Sequence, residues 1–379
     1  MAHEVKGGVE IVVNNPARKF VRNGHNVNII TSKWPKSLQE HEKIGEIDIY
    51  RVHFAIPRSS FKSWIVFPIR FPQALLQIIR IIRSTKVDIV NVHYITGNAF
   101  YVFLLNGLLK LPLVVSIHGN DIQKNPNESK ILRWTVKKVL KKAEFVISNS
   151  QSLLNCAEVF NTDLYGKSVV ISHGVDLHEF QKLIKKGRED PYIFAIGRFV
   201  HKKGFDILLH AFQLVATRYP DIKLIIAGDG EERRNLEILT QQLGLKEKVR
   251  FIGIIDRSRV VQFFNNCEFF VLPSRIEPLG IVNLEAMAAR KAIAAMKVNG
   301  VPEIIKDGEN GILVKSLDSK SLAKAMTYML ENPGMRKKMG ENGRKLVEEK
   351  YTWDKIVSKY LKIYGEILQR RITRCRDCL

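Results

Sequence analysis

Cysteine is scarce in this chain: four in 379 residues, Cys156, Cys267, Cys375 and Cys378. So few exclude the disulfide framework on which small secreted domains depend, and a reducing, cytoplasmic setting is expected. Cys375 and Cys378 form a C-x-x-C near the carboxyl end, with no second pair to complete a zinc site. Redox or metal chemistry and a frayed tail both stay open for it. An apolar leader is lacking too, since the opening MAHEVKGGVE holds no hydrophobic segment. Long apolar runs are missing. The longest, 99–117, is interrupted by Asn106, Gly107, Lys110 and Pro112; Gly107 and Pro112 should split it into a helix and a strand rather than a membrane span. Acids are few: 38 against 60 Lys and Arg, a net charge of +22. Such a surface attracts anions, whether lipid headgroups, nucleic acid or phosphorylated substrates.

The bases are densest over 51–86, where Arg51, Arg58, Lys62, Arg70, Arg80, Arg83 and Lys86 meet no acid. Phe54, Phe61, Trp64, Phe67 and Phe71 are interleaved, followed by periodic Leu and Ile. Two readings stay open: a basic amphipathic segment lying on an anionic bilayer, or a core-facing helix with a solvated basic side.

The most informative stretch is LPSRIEPLGIVNLEAMAA, 272–289. The run Phe269-Phe270-Val271-Leu272 before it reads as a buried strand ended by Pro273. After it, Ile281, Leu284, Glu285, Ala288 and Ala289 recur at helical spacing, placing a helix start near Pro278 or Gly280. A strand, a short loop and a helix make an anion site, because the free amides of the first turn and the helix dipole favour negative charge. Gly280 lets backbone approach a ligand closely. Glu277 and Glu285 straddle that turn, placed to accept hydrogen bonds from sugar or ribose hydroxyls around a diphosphate.

This stretch resembles the retaining glycosyltransferases of the GT-B fold, glycosyltransferase family 4, whose E-P-x-G-x-x-x-x-E signature is matched by Glu277, Pro278, Gly280 and Glu285. Further matches run along the chain. Gly7-Gly8-Val9-Glu10 resembles the loop that approaches the donor phosphates, and Asn23-Gly24-His25-Asn26-Val27 the second turn. The 87–93 strand, VDIVNVH, and His118-Gly119-Asn120-Asp121 after the strand 113–117 resemble elements of the family cleft. Gly197-Arg198 with Lys203-Gly204 matches G-R-x-x-x-x-K-G, while Gly228-Asp229-Gly230 resembles a turn that shapes the cleft rather than binding metal. His173-Gly174-Val175-Asp176 replaces the Asn of the family's N-G-V-D by His. Two departures stand out. No apolar strand precedes Gly7, so a truncated start or an engineered chain is expected, leaving a doubly wound sheet without its central strand. Pro16 falls inside the expected first helix, where it removes a donor and clashes with the preceding turn.

The resemblance implies an α/β protein of GT-B architecture: two Rossmann-like domains facing across a cleft, with a C-terminal helix crossing back to the first. Expected bounds are 1–180 for the acceptor domain, 190–352 for the donor domain and 353–379 for the returning helix and tail, with a linker at 181–190. The implied reaction moves a hexose from a UDP- or GDP-sugar to an acceptor hydroxyl with retention, on a glycan or a lipid-linked molecule. Arg198 and Lys203 should reach the diphosphate, as fixed cations suit a leaving group that gains charge. Glu285 should bind ribose and Glu277 the donor sugar, while His118 positions the sugar or acceptor. Gly7, Gly8, Asp121, Ile254, Leu279, Gly280, Ile281 and Val282 complete the implied donor site, with Ile254 meeting the base through its backbone. No cofactor or metal is expected. An anionic surface, the inner face of the cell membrane, is an expected partner; nucleic acid is not. Rival readings are another GT-B enzyme, such as an epimerase or phosphorylase, and a non-catalytic basic membrane- or nucleic-acid-binding protein on a decayed GT-B scaffold.

Overall fold

A computed structural model describes residues 8–54, 61–96, 99–128, 130–160, 164–181 and 190–376. The chain divides into two compact units, Val5–Ile171 with Ile356–Leu379, and Ser172–Lys355. Residues 182–189 of the expected linker lie outside the described residues, as does Gly7. No helix among the described residues is long and apolar enough to cross a membrane.

In the Val5–Ile171 unit the first helix, Gly8–Arg22, runs through Pro16, and buried Val12 and Ala17 hold it across the missing donor. The strands form two sheets. In one, β1 (Asn28–Ser32) pairs parallel with β3 (Ile47–Val52), which pairs antiparallel with β2 (His41–Ile44). In the other, β4 (Val90–His93), β5 (Leu113–Ile117), β6 (Phe145–Ser148) and β7 (Ser168–Val170) are parallel in that order. β5 and β6 are buried throughout, and Val115 and Val146 pack with Val139, Leu140, Leu153 and Leu154.

Helix Phe61–Ser84 buries Ala74, Ile78, Ile81 and Ile82 against Val52, Tyr101 and Leu105, which is the core-facing reading of this basic segment, but Ile65, Ile69 and Leu76 remain exposed. The apolar run that follows is a helix, Ala99–Leu109, that continues through Gly107; the break comes at Lys110 to Pro112, where Lys110 takes a positive φ. The short helix Asn125–Glu128 precedes a basic helix, Lys130–Lys142. The last helix, Trp353–Arg376, brings Tyr360 and Tyr364 against Phe20, and Asn91 of β4 donates to the Tyr364 hydroxyl at 2.7 Å.

The Ser172–Lys355 unit has one sheet of six parallel strands: β8 (Tyr192–Ile196), β9 (Lys223–Ala227), β10 (Val249–Phe251), β11 (Phe270–Leu272), β12 (Ile293–Met296) and β13 (Gly311–Val314), in the order β10-β9-β8-β11-β12-β13. Both faces are covered, so its strands read as continuous apolar runs. Alternate residues divide accordingly. Ile193, Leu224, Val271 and Ala294 join Leu208, Phe212 and Val215 of helix Phe205–Arg218. Phe194, Ile225, Phe270 and Ala295 join Val260 and Phe264 of helix Arg257–Asn266 and Leu284 and Met287 of helix Ile281–Ala288. Each large side chain so buried contributes about 1.5–3 kcal/mol. The strand order reverses between β8 and β11, and open α/β sheets bind ligands beyond the carboxyl ends of their strands at that point.

Candidate active site

Two loops leave the sheet at the reversal. After β8, Gly197 and Arg198 lead into a short turn, His201–Lys203, closed by Gly204 at φ 65°. A Cβ at Gly204 would lie 2.1 Å from the Pro273 carbonyl oxygen, so only glycine lets this loop touch the one after β11. Arg275 fastens the contact. It donates to both Asp206 oxygens at 2.7 and 2.6 Å and to the His201 carbonyl at 2.9 Å. Burial raises the Asp206 carboxyl, and the Arg275 bonds outweigh it, leaving the group below the usual carboxylate range.

These contacts bring Lys203 and Glu277 together. Lys203 Nζ donates to Glu277 Oε2, and Ser274 Oγ donates to the same oxygen at 3.3 Å. Glu277 is 7% exposed, and its backbone amide donates to Asn299 Oδ1 at 3.2 Å. Helix Ile281–Ala288 starts directly after, with Gly280 at φ 84° as its N-cap, within the expected start. Leu279 is buried, while Ile281 and Val282 are half-buried. Arg198 is exposed and forms no ion pair among the described residues, so this cation stays free for a ligand. Ile254, on the loop beyond β10, is 79% exposed.

Glu285, one turn into the helix, takes a hydrogen bond from Arg257 Nη1. Arg257 also donates through Nε to Glu179 Oε2 at 2.8 Å and stacks 5.3 Å from the Phe180 ring centre. The second glutamate of the motif is therefore oriented by an arginine. Asn283, between the two glutamates in sequence, is fully buried, and neither end of its amide has a hydrogen-bond partner among the described residues. Such a group costs about 1–3 kcal/mol. No three of His, Cys, Asp and Glu among the described residues gather so as to hold a metal ion. Cys267 is buried, its thiol pushed up to about 12 by that burial, which marks a core residue.

In the other unit, His118 follows β5. The Asp121 carboxylate accepts from the backbone amides of His118 at 3.2 Å, Gly119 at 2.7 Å and Ile95 at 3.3 Å, holding the turn on which His118 sits. Burial pushes the Asp121 carboxyl up to about 6, against these amides. His118 Nε2 lies 3.1 Å from Nδ1 of His93, at the end of β4, and the rings stack with centres 5.3 Å apart. Burial pushes the His93 imidazole down to about 4, so it stays neutral at physiological pH. Gly8 begins the first helix.

The glycosyl transferases group 1 family matches residues 178–346, and glycosyltransferase family 4 matches residues 6–179. An uncharacterized glycosyltransferase of Methanocaldococcus jannaschii is 31% identical over 95% of this chain and 94% of its own. The chain belongs to glycosyltransferase family 4. Sucrose-phosphate synthase from Thermosynechococcus elongatus superposes with a TM-score of 0.83 at 22% identity, over 97% of this chain and 95% of that one. Anabaena HepE, solved in complex with UDP and glucose, does so with 0.76 at 20% identity, over 96% and 97%. The fold is thus GT-B, with two Rossmann-like domains.

For this glycosyltransferase, the sequence pointed to Glu277, Glu285, Arg198 and Lys203 but not to Arg257, Arg275, Asp206 or His93. Those partners lie 28, 69 and 25 residues from the groups they hold. Strand His93 was legible as a strand residue; its contact with His118 was not.

Proposed function

We propose that this glycosyltransferase moves a hexose from a nucleotide diphosphate sugar to an acceptor hydroxyl with retention at the anomeric carbon. The observation that carries the reading is the Lys203–Glu277 pair at the strand-order reversal, beside the first turn of helix Ile281–Ala288. The diphosphate meets Lys203, the exposed Arg198 and the amides of Ile281 and Val282, which stabilise the charge it gains. Glu277, released from Lys203 as phosphate arrives, accepts from donor-sugar hydroxyls, and Glu285 from the ribose. Ile254 offers backbone to the base. The fixed cations take the place a metal would fill.

No residue is assigned as a covalent nucleophile. The bond from the anomeric carbon to the diphosphate oxygen breaks with its electron pair on that oxygen. The acceptor oxygen bonds to the same face, and its proton passes to the departing phosphate. His118 positions the sugar or acceptor. UDP is the first nucleotide to try, because HepE was solved with UDP. For the acceptor, the exposed Ile65, Ile69 and Leu76 of the basic helix Phe61–Ser84 favour a lipid-linked molecule reached from an anionic membrane surface. Calorimetry without added metal, using UDP, GDP and ADP, tests the donor site. One nucleotide should bind, and Arg198→Ala/Lys203→Ala should abolish it; no binding by any would overturn the assignment. NMR of the product's anomeric configuration tests retention, and inversion would sink it.

A further inference from the structure

We propose that helix Lys130–Lys142 is the face by which this glycosyltransferase docks on an anionic lipid bilayer. The proposal deepens the lipid-acceptor reading above by naming the surface that meets the membrane. The helix buries Thr135, Val136, Val139 and Leu140, and on the other side exposes Lys130, Arg133, Lys137, Lys138, Lys141 and Lys142. No acid interrupts these bases on the helix, and none of them forms an ion pair among the described residues. Unneutralised charge of one sign along a helix is complementary to an anionic headgroup layer.

Charge alone would suit any polyanion. The apolar residues among these bases select lipid. Trp134, 44% exposed, lies in the middle of the basic side and Ile131, 50% exposed, between Lys138 and Lys142 near its edge; Leu108, on the neighbouring helix Ala99–Leu109, is 64% exposed. Trp134 is not loose. Its ring packs 6.1 Å from Phe100 and 5.6 Å from Phe103, with Lys138 Nζ 5.8 Å from its centre. Lys142 Nζ sits 4.6 Å from the Phe103 ring. A half-exposed indole with lysines bent over neighbouring rings matches what an interfacial anchor requires: an apolar body facing acyl chains, and ammonium groups level with the phosphates. The aromatic row continues through Phe71, 5.8 Å from Phe100, and Phe67, tying this helix to Phe61–Ser84.

The test is co-sedimentation of the full chain with phosphatidylcholine vesicles, alone or with about one-third phosphatidylglycerol, a fraction sufficient for a surface potential. Wild type should bind the anionic vesicles and shift Trp134 emission to the blue, a change absent in Trp134→Phe. Lys137→Glu/Lys138→Glu should weaken binding on the order of 30-fold, and Trp134→Ser about tenfold. Circular dichroism and the thermal midpoint of each variant serve as the folding check, since the substituted helix lies in Val5–Ile171, and UDP titration reads the other unit. Failure to bind UDP by wild type would sink the donor assignment and leave docking standing. Equal binding of wild type and both variants, no binding to anionic vesicles, or binding of random RNA in place of vesicles would each overturn the docking proposal.

Discussion

The two units handle buried charge differently. In Ser172–Lys355, buried carboxylates meet cations: Glu277 with Lys203, Glu285 with Arg257, and the part-buried Asp206 with Arg275. In Val5–Ile171 the buried Arg51 likewise meets Glu42, but the buried Asp121 is held by backbone amides and His93 meets another imidazole. The frames differ too. Among the described residues the first carries six strands in one sheet covered on both faces, whereas the second divides seven strands between two sheets, with β1 and β4 at sheet ends, β4 half-buried and β1 half-buried to exposed. Burial moves the two groups of Val5–Ile171 in opposite directions, the Asp121 carboxyl up and the His93 imidazole down, and each then favours its neutral form.

The largest effect tests the cation side. Lys203→Ala should lower turnover about 10³-fold, because a charge aimed at the leaving diphosphate is gone. It should also destabilise the fold by about 2 kcal/mol, since Glu277 is left unpaired and Lys203 was itself partly solvated. Adding Glu277→Gln should restore the urea midpoint and leave turnover low. Full activity in the single variant would end the assignment.

The pH dependence of stability sharpens the other side. His93 stands at about 4 against an ordinary 6.5, so between those values the unfolded chain binds more protons and stability falls as pH drops. Asp121 stands at about 6 against 3.8, so between 3.8 and 6 the folded chain binds more protons and stability rises as pH drops. The two nearly cancel in wild type. His93→Gln should unmask a gain from pH 6 to 4 and Asp121→Asn a loss from pH 6.5 to 4, each up to about 3 kcal/mol. Urea unfolding across that range, with parallel slopes in the two variants, would refute it.

Backbone substitutions separate tight from open loops. Gly204→Ala places a Cβ 2.1 Å from a carbonyl at positive φ and should cost about 3 kcal/mol. Gly24→Ala, at φ 83° with nothing within 4 Å, should cost about 1 kcal/mol. Equal shifts in melting temperature would contradict the close packing of the two loops. The smallest effect is a gain: Asn283→Leu should raise stability by about 1 kcal/mol, since a buried unpaired amide is removed. A loss of stability in urea unfolding would mean that the amide is satisfied or needed for packing.

The positions of β11 and the helix after it were legible because the apolar run and the helical repeat are local, with the start expected near Pro278 or Gly280 and found just after Gly280. The GT-B fold was legible from motifs at strand ends. The split of the 99–117 run into a helix and a strand was legible, but the break falls at Lys110 to Pro112 and not at Gly107, which the helix Ala99–Leu109 includes. Pro16 lies inside the first helix, as its place in the sequence implied.

By itself the sequence determined the strand and helix types, the family signature and the excess of positive charge, because each depends on residues near one another in the chain. Tertiary structure alone decided that Glu285 meets Arg257, that His93 meets His118, and that Trp134 stays half-exposed above Phe100 and Phe103. Hydrogen bonds and solvent exposure are set by neighbours in space, and those neighbours come from distant segments that only folding brings together.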